Sequence, residues 1–136
     1  MNWVVRFHPA FEKEYAAMPE NVQEELLAHL KALEQMGPSL GRPRADTLKS
    51  SRHSNMKELR FGMENSAWRF AFAFDPLRQA VVLCGGDKRP VNENLFYSRL
   101  IDVADARFDA HLEQVEQEKA RSREKDRNRG IPGRKR

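Results

Sequence analysis

The clearest pattern in the chain is an alternation. From Trp68 to Phe74, the even positions are Trp68, Phe70, Phe72 and Phe74, and the odd ones are Arg69, Ala71 and Ala73. Side chains on a strand alternate between faces, so one face carries four rings and the other a single arginine among small residues. Burying each ring is worth roughly 1.5–3 kcal/mol, which turns the even face to the core. Glu58 and Arg60 alternate with Leu59 and Phe61 in the same way one strand earlier. Three strands are predicted at about 57–63, 66–75 and 79–85, with turns at Glu64-Asn65 and Asp75-Pro76. Gly85-Gly86 is expected to end the last strand and open a polar loop. On this reading the sheet keeps an open, basic face.

The rest of the chain reads as helices around that sheet. Asn2 to His8 is a short strand, and Pro9 suits the first turn of a helix with Phe11, Tyr15 and Met18 on one side. Pro19 separates it from a second helix, whose apolar stripe is Val22, Leu26, Leu30, Leu33 and Met36, ended by Gly37-Pro38. Residues 37–56 have no sustained period and read as a long, functional or mobile connection. A final helix starts near Asn94 and carries Tyr97, Ile101, Ala104, Phe108, Leu112 and Val115 on one side. The expected fold is α+β: an antiparallel-rich curved sheet, formed by the N-terminal strand plus a three-strand meander, packed by two N-terminal helices, with a C-terminal helix. Residues 1–116 form one domain, and residues 117–136 are expected to be a disordered basic tail.

Charge sharpens this picture. The 136 residues carry a net charge of +4, but it is unevenly placed. Residues 40–99 hold eleven basic and six acidic residues, and residues 120–136 hold eight basic and two acidic. Residues 1–39 and 100–119 are net acidic. Segregation of this kind points to a polyanion met through the sheet region. The lone Cys84 excludes an internal disulfide and reads as a small apolar strand residue. No apolar run reaches the length of a membrane span and no signal peptide is evident, so a cytoplasmic location is expected, with no membrane partner.

The histidines lack metal-ligand spacing, and no phosphate-loop or nucleophile-elbow motif is present, so no metal or other cofactor is expected. What remains is a basic and phenolic set, Lys57, Arg60, Arg69, Lys88, Arg89 and Tyr97. Cleaving RNA through its own 2′-hydroxyl requires a deprotonated hydroxyl, a stabilised pentavalent phosphate and a protonated leaving oxygen. Arginine suits the second task because its planar donors match phosphate oxygens. Lys49, Arg52, His53 and Lys57 are candidate RNA contacts in and beside the long connection. For Arg69 the competing reading is an ion pair with Glu58 on the neighbouring strand, and for Tyr97 it is a place in the last helix's core stripe.

The segments MKELRFGMENSAWRFAFAF, VVLCGGDK and FY, after an opening strand-helix-helix, resemble the RelE/ParE superfamily of bacterial toxins, most nearly its HigB-like, phage-related branch. The resemblance covers roughly residues 3–112. It implies a toxin of a type II toxin–antitoxin system, a metal-independent, ribosome-dependent endoribonuclease acting on mRNA. The implied partners are the ribosome, mRNA and an antitoxin of helix-turn-helix type. Carried over by residue, it places the transition-state arginine on Arg69, the arginine of the Leu-Arg strand on Arg60, the basic loop on Lys88 and Arg89, and the phenol on Tyr97. RelE-like members carry a lysine before the Leu-Arg pair, where this chain has Glu58. Either Lys57 substitutes from the adjacent position or the proton chemistry is arranged differently. A ParE-like inhibitor of DNA gyrase, or an inactive relative that only binds RNA or protein, are the competing functions.

Overall fold

The computed structural model describes residues 2–129. The elements run β1 (Val4–Phe7), α1 (Pro9–Ala16), α2 (Glu20–Met36), β2 (Ala45–Thr47), β3 (Met56–Met63), β4 (Ser66–Phe74), β5 (Gln79–Asp87) and α3 (Glu93–Arg129). They form one five-stranded sheet of order β1-β5-β4-β3-β2. β1 pairs parallel with β5, and the other pairings are antiparallel. The mixed α+β architecture is therefore the expected one. Local sequence explains the helix starts. His8 caps α1 by accepting a hydrogen bond from the Ala10 amide at 3.0 Å, and Asn92 caps α3 through the Leu95 amide at 3.2 Å.

Several expectations are corrected. First, the face carrying Arg69, Ala71 and Ala73 is not open. One face of the sheet packs Phe11, Leu26, Leu33, Phe70 and Phe72 beneath α1 and α2. The other packs Ala71, Ala73, Val81 and Leu83 beneath Leu100, Ala104 and Phe108 of α3. The two alanines are small because a helix lies on them. A register shift at Ala71/Phe72 turns both Leu83 and Cys84 toward α3, so the bulge adds apolar surface to the second core. Burial pushes the Cys84 thiol up to about 12, as befits an inert packing residue.

Second, the connection after α2 is not devoid of structure. Ala45–Thr47 pairs with Leu59, Glu58 and Lys57 as the edge strand β2. Third, Gly85 and Gly86 do not end β5. They pair with Phe70 and Arg69 inside it. A Cβ on Gly85 would lie 2.1 Å from the Phe70 ring, so only glycine lets the strand cross that ring.

Helix α3 also continues further than its apolar stripe. Residues 117–129 are helical, where a disordered tail was expected, and Ala120 to Asn128 are exposed. Residues 130–136 of the expected tail lie outside the described residues. Among the described residues, no helix is long and apolar enough to cross a membrane.

Candidate functional site

The sheet register makes the site. Arg60 on β3 and Arg69 on β4 are direct cross-strand partners, so both project to the α3 side of the sheet. Arg69 pairs on its other side with Gly86, where a Cβ would lie 3.3 Å from the Phe96 ring. Both arginines line an open groove of about 490 Å³ together with Arg42, Pro43, Phe61, Gly62 and Ala67.

Arg69 is nearly buried, with 8% of its surface exposed. It donates to the Trp68 carbonyl at 2.9 Å and to the Tyr97 hydroxyl at 3.2 Å. Tyr97 in turn donates to Glu58 Oε1 at 2.8 Å, and Arg69 Nε lies 3.8 Å from the same oxygen. The ion-pair reading of Arg69 is therefore realised. It does not displace the site, because Arg69 still lines the groove. Burial raises Glu58 above the usual carboxylate range, partly offset by the Tyr97 hydrogen bond and by Arg60 and Arg69. Burial also raises Tyr97, reinforced by the hydrogen bond to Glu58. The phenol stays protonated at neutral pH, bonded to a carboxylate that is a better base than an exposed one.

The outer cations each meet a carboxylate. Arg60 Nη1 lies 3.8 Å from Asp46, and Arg42 forms two bonds to the same Asp46 oxygen at 2.6 and 3.0 Å. The Arg42 hydrogen bond holds the Asp46 carboxyl below its ordinary range. Lys88 Nζ lies 2.6 Å from Glu93 at the start of α3, and Glu93 is lowered by that bond. The Lys88 amide donates to the Ala67 carbonyl, which anchors this cation beside β4. Arg89 is exposed, with its amide bonded to Asp87.

Sequence reasoning missed Arg42, because nothing local links it to Arg60. The signal was Asp46, four residues on, in a strand too short to show a period. Other candidates are not brought to the groove. Lys57 sits between Met56, packed under α3, and Leu59, packed under α2, so alternation puts it on the opposite face from Arg60. It therefore does not stand in for the lysine that RelE-like members carry at the position of Glu58. Arg52 pairs with Asp109 and lies 3.7 Å from Asp105, and His53 bonds Asp109 at 2.8 Å while its ring meets Phe108 edge-on. Both fasten the connection to α3. Lys49 is exposed in the turn after Leu48. The groove thus gathers Arg42, Arg60 and Arg69, with the Glu58–Tyr97 pair joined to it through Arg69 and Lys88 anchored beside it at Ala67.

Comparison with known proteins identifies the family of the chain. The family model described as Phage derived protein Gp49-like (DUF891) matches residues 13–109. HigB2 of Mycobacterium tuberculosis (strain ATCC 25618 / H37Rv), named as a toxin, is 44% identical over 103 residues, 75% of this chain and 51% of HigB2. HigB3 of the same organism, also named as a toxin, is 39% identical over 104 residues, 76% of this chain and 89% of HigB3. The chain therefore spans about half the length of the first relative and most of the second. The free E. coli toxin RelE, in a doubly substituted form, superposes with a TM-score of 0.51 at 16% identity, over 79% of this chain and 98% of RelE. That likeness speaks to the fold. The match to the family model over most of the domain, with two relatives at 39% and 44% identity, makes the chain a member of the Gp49-like family of phage-derived proteins.

Proposed function

We propose that this chain is the toxin of a type II toxin–antitoxin system and acts as a ribosome-dependent mRNA endonuclease. The observation that carries the reading is the groove itself, where two arginines face each other across a strand pair above a carboxylate–phenol pair. Like charges directly opposed on a sheet are unfavourable, so their pairing here fits a bound phosphate more readily than it fits stability. The relatives' names as toxins support the same reading.

In the proposed reaction the 2′-oxygen of one nucleotide attacks the adjacent phosphorus, and the bond from phosphorus to the 5′-oxygen breaks. The 2′-hydroxyl proton passes to the Tyr97 oxygen while the Tyr97 proton passes to Glu58. This route uses the raised basicity of the buried carboxylate. Arg60 and Arg69 hold the phosphate oxygens as negative charge develops, with Arg42 at the rim. Lys88 gives the departing 5′-oxygen its proton. Arg89 adds charge beside it, and Lys49 contacts the RNA backbone outside the groove. The products are a 2′,3′-cyclic phosphate and a free 5′-hydroxyl, and no metal is needed.

A protein antitoxin, of helix-turn-helix type, is the proposed partner that blocks the groove. End-group analysis of the cleaved mRNA tests the chemistry. A cyclic phosphate or its 3′-phosphate hydrolysis product is expected, whereas a 3′-hydroxyl with a 5′-phosphate would exclude 2′-oxygen attack.

A further inference from the structure

The exposed C-terminal stretch of α3 has no part in the groove, and Arg123 lies about 39 Å along the helix from Tyr97. Val115 is the last buried residue of the helix among the described residues, and Ala120 to Asn128 are exposed. Lys119 to Asn128 hold five basic and two acidic residues. At about 100° per residue, Lys119, Arg123 and Arg127 form one row. Arg121 and Lys125 form a second row on the opposite side of the same helix, about 180° away. Arg123 lies 3.8 Å from Glu116, an exposed pair that is worth little.

We propose that this stretch is a DNA-binding arm that lies in the major groove of a duplex, one basic row toward each phosphate wall. The stretch has no apolar stripe, so a protein partner would find no hydrophobic seam. It has no aromatic side chain, so single-stranded RNA would find no stacking platform. Cation rows on opposite sides of one helix suit a groove with two charged walls. An α-helix of about 10–12 Å diameter matches the B-DNA major groove, about 12 Å wide. The deep, narrow major groove of A-form RNA does not admit it. Contacts to phosphate carry no sequence information, so the arm binds DNA without base preference.

The test uses the full chain with a fluorescent mixed-sequence DNA duplex, the same duplex as RNA, and single-stranded RNA. One variant, R121Q/R123Q/K125Q/R127Q, removes four cations. A second, A120R/R121A with E124K/K125E, keeps composition and net charge but moves the second row beside the first. Wild type is expected to bind the DNA duplex with affinity falling by about 4–5 decades per decade of salt. The four-glutamine variant is expected to lose most of that salt slope, and the rearranged variant to lose affinity for DNA while circular dichroism shows the helix intact. A loss of RNA affinity in the four-glutamine variant as large as its loss of DNA affinity would overturn the assignment to DNA. An unchanged affinity in the rearranged variant would overturn the two-wall geometry.

Discussion

Arg60 and Arg69 face each other across the β3–β4 pair, and each has a carboxylate within 3.8 Å, Asp46 for the first and Glu58 for the second. The two differ in how deeply they sit. The Arg60 side chain is 28% exposed and that of Arg69 is 9% exposed. Alanine at either position should lower mRNA cleavage by roughly 10²–10³-fold, as for loss of a transition-state donor. Only Arg69→Ala should also lower the melting temperature, because it leaves the buried Glu58 short of a partner at a cost of about 1–3 kcal/mol. Arg60→Ala removes an opposed charge and should leave stability nearly unchanged. Kinetics and thermal denaturation of the two variants check this, and equal destabilisation by both would contradict it.

Glu58 carries a pH signature. Its folded value is raised above the ordinary carboxylate value of 4.5 by burial. The folded state therefore binds more protons than the unfolded state in the window just above 4.5. Stability contributed by this group is lost as pH rises through that window. Glu58→Gln should remove the loss, so its melting temperature should gain on wild type as pH climbs from 4.5 toward neutrality. A difference that stays constant with pH would show that Glu58 titrates normally.

Gly85 is the tightest packing constraint near the site. With Phe70 fully buried and a Cβ meeting its ring at 2.1 Å, Gly85→Ala must displace the ring or the strand. Overpacking of this kind costs about 1–3 kcal/mol. Chemical denaturation should show that loss, and the shift should weaken cleavage as well, because Phe70 adjoins Arg69 in β4. Full stability in the variant would mean the core has slack there.

Asp75 ties the β4–β5 turn to α3. Its carboxylate accepts from the Leu77 and Gln79 amides, from the Gln79 side chain, and meets His111 Nε2 at 2.7 Å. Burial pushes its value up, but these bonds outweigh it and hold it below 3.8. Its contribution is therefore present above 3.8 and lost as pH falls through the lowered value. Asp75→Ala should cost about 2–4 kcal/mol at neutral pH, with cleavage per folded molecule retained. A loss of activity beyond the loss of folded protein would place the turn in the site.

Much of this was legible because burial leaves a period. The four rings of β4 and the stripes of α2 and α3 each fixed an element and a face. What α3 packs against was not legible locally. Ala71 and Ala73 read as space beside an arginine, although the stripe from Tyr97 to Val115 needed a surface and they supply it. The pairings of Arg52 and His53 with Asp109, and of Arg60 with Asp46, join segments distant in sequence or register and leave no local pattern. Strand β2 has three residues, too few for alternation to show. Of the site, Arg60, Arg69, Tyr97 and Lys88 were reachable from the sequence, while Arg42 and the partnership of Glu58 with Tyr97 required the register.

The paired arginines are proposed to act in cutting mRNA on the ribosome. Primer extension on a reporter mRNA in a reconstituted translation system tests it most directly, comparing wild type with Arg69→Ala, with and without ribosomes. Cleavage within the reading frame is expected, and only where both the ribosome and Arg69 are present. Full cleavage by Arg69→Ala would contradict the role given to the arginines, and growth arrest in cells with no cleavage of the reporter would move the target to a protein such as DNA gyrase.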